Sequence, residues 1–214
     1  VHIGTPSSTG STTIPRNVGK QITQGINVTL NYSIVRRDDM FWSVNANMRH
    51  QTSEYRNVSD VLTKYNLDNR NRNLTRYYDG GSPSDLWAVR SCGIDPATGR
   101  EIFLTKEGKQ TFVHDYDDEM VVGNSDPDVE GVIGTSFYYK GFSASINLRY
   151  RLGGQIFMQT LYDKVENLSS VKKWENLDKR ALYDRWKQPG DKAKFKSIAD
   201  SEVTPISSRF VEDN

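Results

Sequence analysis

Residues 131–154, GVIGTSFYYKGFSASINLRYRLGG, decide the fold. Ile133, Phe137 and Tyr139 precede a turn at Lys140 and Gly141, and Phe142, Ala144, Ile146, Leu148, Tyr150 and Leu152 follow it. Successive side chains of a strand point to opposite sides, so this period of two gathers the set on one uncharged face. The other face carries Ser136, Tyr138, Lys140, Ser143, Ser145, Asn147, Arg149 and Arg151. The two runs read as antiparallel strands from about Gly131 to Lys140 and Gly141 to Leu152.

The same grammar recurs upstream. In residues 19–36, GKQITQGINVTLNYSIVR, Ile22, Ile26, Val28, Leu30, Tyr32 and Ile34 oppose Thr23, Gly25, Asn27, Thr29, Asn31 and Ser33. After a turn around Arg37, Asp38 and Asp39, the run FWSVNANMRHQ sets Trp42, Val44, Ala46 and Met48 against Ser43, Asn45, Asn47 and Arg49. This predicts a second hairpin, Gly19 to Arg36 with Met40 to Gln51. A fifth strand is expected near Gln155 to Tyr162, in a register the pattern does not fix.

Soluble strands run about 5 to 6 residues; these runs are about twice as long, close to the ~9 to 11 a tilted strand needs to cross a bilayer. Aromatics crowd both short turns (Phe41, Trp42, Phe137, Tyr138, Tyr139, Phe142), where an interfacial girdle would sit. Two tight turns on one side and a long stretch from Gln51 to Glu130 on the other match short periplasmic turns and long extracellular loops. The expected fold class is therefore all-β, an antiparallel transmembrane β-barrel segment. Ile26, Leu30, Val44, Ile146 and Leu148 should face lipid, and Asn27, Asn45, Asn47, Asn147 and Arg149 the lumen. A barrel must close, and five strands cannot enclose a pore, so either several chains assemble one barrel or this is a segment of a longer chain, the second being the expectation.

Composition agrees with this reading without proving it. A mean hydropathy of -0.68 and 36% hydrophobic residues look soluble, yet a barrel averages lipid-facing and lumen-facing residues to such values. No apolar run reaches eighteen residues, which removes membrane-spanning helices only. The net charge of +1 with interspersed signs does not favour nucleic acid. Cys92 is the single cysteine, and with His2, His50 and His114 it gives no metal-ligand spacing, so neither metal nor cofactor is expected. The acidic stretches Asp115 to Glu119 and Asn124 to Glu130 resemble calcium ligands in spacing, but the second lacks the EF-hand glycine and twelfth-position Glu, and both read as solvated loop charge. Nothing points to an enzyme.

Several ordered stretches, IPRNVGKQITQGINVTLNY, WSVNANMRH, GIDPATGREIF, VVGNSDPDVEGVIGTSFYYKGFSASINLRYRLGG, RWKQPGD and SSRFVEDN, resemble the carboxyl-terminal barrel region of the SusC/RagA family of TonB-dependent outer-membrane receptors. The most specific parts are Asp95 through Gly99, Tyr139 through Phe142 and Trp186 through Asp191; Gly131-Val132 stands where the family usually has Gly-Gly. The resemblance implies a 22-stranded barrel in the outer membrane of a Gram-negative bacterium, with an amino-terminal plug, a TonB-contacting segment and a SusD-like lipoprotein lid. On that reading residues 1–214 are barrel, with 51–130 and 163–208 mainly extracellular loops, and the plug, TonB box and final strands lie outside them. The implied activity is TonB-dependent import of an oligosaccharide or oligopeptide.

Binding chemistry is expected on the loops. RYYDGGSPSDLW supplies Tyr77, Tyr78, Asp79 and Trp87 as candidate ligand contacts, able to stack on a sugar ring or pack against a peptide, or else to pack the loop upon itself. GIDPATGREIFLTKEGKQTFV reads as a loop hairpin turning at Pro96, Gly99 and Gly108. Between Val165 and Trp186 a helical spacing appears, read as a loop helix packed on neighbouring loops or, alternatively, with Trp174, Tyr183 and Trp186 as candidate contacts to a lid protein. A secreted β-rich carbohydrate-binding module is the alternative function class, and a plain structural pore a further one.

Overall fold

The computed structural model describes residues 2–4, 10, 13–15, 17–70, 75–168, 177–197, 199–200 and 202–214. Its strands are β1 His2–Gly4, β2 Thr13–Pro15, β3 Lys20–Arg37, β4 Met40–Arg56, β5 Asp85–Ile94, β6 Glu101–Leu104, β7 Gln110–Thr111, β8 Glu119–Asn124, β9 Val129–Tyr139, β10 Phe142–Leu152, β11 Gln155–Phe157 and β12 Val211–Asp213. Helices are few: α1 Asp60–Asp68, α2 Gln159–Leu161 running into a π turn at Tyr162–Glu166, and α3 Arg180–Tyr183. All strand pairs within sheets are antiparallel.

The main element is an open four-stranded sheet in the order β10-β9-β4-β3. Both predicted hairpins are present, β3 and β4 being 18 and 17 residues long and β9 and β10 11 each. Their turns lie together, with Lys140 N–H donating to the Asp39 carbonyl at 3.0 Å. Lys140 and Gly141 both have positive φ, the backbone that closes a two-residue hairpin with the twist of its strands.

Register turns the alternation into two continuous faces. One stacks the rows Val35–Trp42–Phe137–Ala144, Tyr32–Val44–Thr135–Ile146, Leu30–Ala46–Ile133–Leu148 and Val28–Met48–Gly131–Tyr150. The other stacks Ser33–Ser43–Ser136–Ser145, Asn31–Asn45–Gly134–Asn147, Thr29–Asn47–Val132–Arg149 and Asn27–Arg49–Glu130–Arg151. The residues expected outward and inward thus fall on opposite faces. One detail differs: a register shift between Ser33 and Val35 leaves Ile34 unpaired and puts Val35, not Ile34, opposite Trp42. A bulge adds one residue to one strand, so parity changes across it. Gly131 is also fixed by this packing, because the Tyr150 hydroxyl crosses it to donate to the Asn47 carbonyl at 2.9 Å, and a Cβ there would lie 2.7 Å from that hydroxyl.

None of the buried hydrophobic residues lies on β3, β4, β9 or β10 among the described residues. The core is elsewhere, in the connections. Leu161, Val165, Ala181, Phe195 and Phe210 form a buried cluster flanked by Phe157 and Tyr162, and Tyr162 meets Phe210 edge-on at 5.2 Å. A second four-stranded sheet, β7-β6-β5-β8, contains the expected loop hairpin, with its turns at Gly99 and Gly108, both at positive φ. The expected fifth strand is cut to β11, paired with β12; positive φ at Gly153 and Gly154 turns the chain away from β10, and from Gln159 it is helical. The helical spacing between Val165 and Trp186 yields only α3 among the described residues, and residues 169–176 lie outside them.

Candidate functional site

The four candidate ligand contacts come together at the open end of the main sheet, in two different roles. Tyr77 and Asp79 bind their loop to the wall. The Asn66 side chain, buried on α1, donates to the Tyr77 carbonyl at 2.9 Å and accepts from its N–H at 3.0 Å. The Tyr77 ring then fits between Tyr55 at the end of β4 (5.2 Å) and Tyr65 of α1 (5.8 Å). Asp79 accepts from the Val58 N–H at 2.8 Å, while Tyr55 and Gly80–Gly81 exchange two backbone bonds of 2.8 Å.

Tyr78 and Trp87 do something else. Their rings stack at 4.7 Å with 23° between planes, and Tyr78 remains 44% exposed. Beside Tyr78 opens a cleft of about 230 Å³ lined by Asn66, Arg70, Arg76, Lys106, Tyr116 and Glu119, among others. Arg76 forks onto Glu119 at 2.8 and 3.0 Å. Burial pushes the Glu119 carboxyl above its ordinary range, outweighing the pull of Arg76. Arg70 lies 5.2 Å over the Tyr116 ring and 3.7 Å from the Asp117 carboxylate. An exposed Tyr78 ring stacked on half-buried Trp87 beside fixed charges suits an amphiphilic oligomer, the ring taking apolar surface and the charges setting orientation.

Of the candidate lid contacts, Tyr183 and Trp186 lie in a second locality. Tyr183 is 70% exposed, next to Leu182, and borders a groove of about 350 Å³ with Asp184, Lys187, Asp191 and Lys192. Trp186 is committed inside the chain: its Nε1–H donates to the Pro96 carbonyl at 2.9 Å and its ring covers Gly99. Trp174 lies outside the described residues. The acidic stretch 115–119 is used locally, Asp115 capping the turn that follows and Asp118 accepting from the Lys106 N–H. No group of three or more His, Cys, Asp or Glu poised for a metal occurs among the described residues.

No family model matches the chain, and no curated protein does. Solved structures do. The chain superposes on the RagAB peptide transporter with a TM-score of 0.73 at 18% identity, over 99% of its own length and 23% of that chain. The RagAB peptide importer matches in its closed-closed state with a TM-score of 0.73 and in its open-open state with 0.72, again at 18% identity and 23% of those chains. At this identity the likeness establishes the fold, and the chain spans about a quarter of the chains it matches.

A buried charge network among the described residues has no signal in the sequence. Arg209 reaches Glu101 at 3.0 Å and Glu166 at 2.8 Å; Ser207 donates to Glu101 at 2.6 Å and Thr204 to Glu166 at 3.0 Å. Arg185 donates to the carbonyls of Ala181, Val165, Glu166 and Lys196. This network fastens the loop hairpin, the π turn and the carboxyl-terminal segment to one another. Its members are separated by up to about a hundred residues, so only tertiary folding brings them within ion-pair range.

Proposed function

We propose that this chain is a wall-and-loop section of a transmembrane β-barrel that imports oligopeptides across the outer membrane of a Gram-negative bacterium. The observation that carries the reading is the two-faced main sheet. Leu30, Ile146 and Leu148 are 65%, 60% and 66% exposed on a face free of acidic, lysine and arginine side chains from Trp42 to Met48, while serine and asparagine rows line the reverse. A soluble sandwich would cover such a face. From Met40 to Met48 the apolar belt takes eight residue steps of ~3.4 Å, and at a tilt of about 40° it stands roughly 21 Å tall, against about 25 Å for outer-membrane barrels. His50, Thr52, Glu54 and Arg56 follow, where the belt gives way to polar residues.

The likeness to RagAB peptide transporter chains and the resemblance to SusC/RagA receptors support the rest of the reading. Peptide is captured at the loop end by the Tyr78–Trp87 pair and its cleft, under a SusD-like lipoprotein contacting the Tyr183 groove. It then passes inward when TonB, coupled to the proton gradient, displaces a plug. An oligosaccharide is the other cargo class the sequence allows. The test is uptake of labelled oligopeptides by cells carrying the full transporter, with and without a protonophore, alongside heat-modifiable gel migration. Energy-dependent uptake is expected; a full-length product that stays soluble and unshifted by heat sinks the proposal and returns the secreted binding module.

A further inference from the structure

The polar face of the main sheet is not uniformly polar. Behind the row beside the turns, Arg36–Phe41–Tyr138–Ser143, the rows Ser33–Ser43–Ser136–Ser145 and Asn31–Asn45–Gly134–Asn147 are uncharged. Charge returns in the next two, which hold Arg49, Arg149, Arg151 and Glu130. Strand register alone puts these four on one face, whatever rotamers they adopt. Arg49 and Arg151 flank Glu130 on neighbouring strands, and Arg149 lies one row nearer the turns, its Nη2 3.5 Å from the Glu130 carboxylate. Three arginine positions thus flank one carboxylate, Arg149 in ion-pair range of it and Arg49 and Arg151 opposite it in register.

The guanidinium forks have capacity to spare. Each carries five N–H donors. Arg49 donates to the Gln51 side chain and Arg151 to the Ser125 carbonyl, and among the described residues Arg149 pairs with Glu130 alone, its side chain 77% exposed. A hollow of about 80 Å³ opens beside Arg49, bordered also by Gln51, Asp126, Pro127 and Glu130. Arginine forks match carboxylates in pairs of parallel hydrogen bonds, a geometry lysine cannot offer. The rows lie at the loop-ward end of the wall, level with the edge of the apolar belt on the reverse face, where cargo leaving the loops would first meet the wall.

We propose that Arg49, Arg149 and Arg151, arranged around Glu130, form a carboxylate-binding site on the inner wall for the imported peptide, taking its terminal carboxylate or acidic side chains. The proposal rests on the import reading above. It is tested with the full transporter and two labelled hexapeptides, one with a free carboxyl terminus and two glutamates, the other with glutamines and an amidated terminus. Wild type is expected to bind the acidic peptide about ten-fold tighter, an advantage that shrinks as salt rises. The triple variant Arg49→Gln, Arg149→Gln, Arg151→Gln should lose that advantage while binding the neutral peptide as before and keeping heat-modifiable migration. Glu130→Gln, which removes the competing carboxylate, should strengthen acidic-peptide binding; arginines present only to hold Glu130 would give no gain, which counts against the site. An unchanged preference in the triple variant overturns the proposal, whereas a wild-type transporter that binds neither peptide overturns the import reading beneath it.

Discussion

Trp186 lies on Gly99 so closely that a Cβ on that glycine would sit 2.5 Å from the indole ring. The contact joins two stretches far apart in sequence, and Gly190 N–H adds a bond of 2.8 Å to the Pro96 carbonyl. Gly99 also has φ +72°, a region L side chains rarely adopt. Gly99→Ala should therefore cost about 1 to 3 kcal/mol through backbone strain, besides displacing the ring. Hydrogen exchange should show 95–99 and 186–191 losing protection together; loss in one segment alone would refute their coupling.

Leu148 sits near the middle of the apolar belt and Phe142 at its turn-ward end. If the belt meets lipid, Leu148→Arg should cost about 2 to 4 kcal/mol and Phe142→Arg about 0 to 1. Urea unfolding of the full transporter in bilayers gives both values, and equal costs would remove the depth dependence that lipid imposes.

The aromatic loop residues should separate by role. Tyr78→Ala and Trp87→Ala together are expected to weaken peptide capture by about ten-fold, since each buried aromatic contact is worth on the order of a kcal/mol. Tyr77→Ala should instead loosen the loop, seen as faster proteolysis near Gly80–Gly81. Capture unaffected by the Tyr78–Trp87 double variant would exclude that pair as a binding platform.

Removing Arg209 would strand two buried carboxylates. Arg209→Met should destabilise the loop region by about 3 to 5 kcal/mol, the usual cost of breaking a buried ion pair from one side. Adding Glu101→Gln and Glu166→Gln should restore much of it, as read from chemical denaturation. A triple variant no more stable than the single one would mean that lost packing on Phe210, which Arg209 overlies at 4.5 Å, and not stranded charge, sets the cost.

His114 offers a pH readout. It packs edge-on between Phe103 and Tyr116, with Nε2 3.4 Å from the Ile206 carbonyl, and its burial lowers the imidazole pKa against the upward pull of Glu101, Asp115 and Asp118. The unfolded chain takes up a proton near pH 6.5 while the folded one resists it. Stability from the neutral ring is thus complete above about pH 6.5 and declines as pH falls through the window below it. Melting temperatures of wild type and His114→Gln between about pH 5 and 7 should diverge on the alkaline side and approach each other on the acid side.

The long strands were legible because alternation is a property of one strand by itself, and 131–154 displays it without help from its neighbours. The bulge at Ile34 was not, since it exists only relative to β4. Residue type makes Tyr77, Tyr78 and Trp87 candidates alike, but type cannot tell an exposed ring such as Tyr78 from one wedged like Tyr77 between Tyr55 and Tyr65. Glu101, Glu166 and Arg209 looked like ordinary surface charges, and only the loop core buries them. The fifth strand failed where two consecutive glycines redirected the chain.

The seam between β4 and β9 has a bearing on how the wall is assembled. Each hairpin can zip from its own turn, but joining them means closing a connection of roughly 70 residues, and chain entropy charges more for long closures, about 0.6 kcal/mol per doubling. Prior collapse of α1 and the β5–β8 sheet would draw Arg56 and Val129 together and shorten the span left to close. The decorated end would then act as a jig that aligns two prefabricated panels, so that damage to a loop far from the wall would first appear as slow assembly of the wall itself.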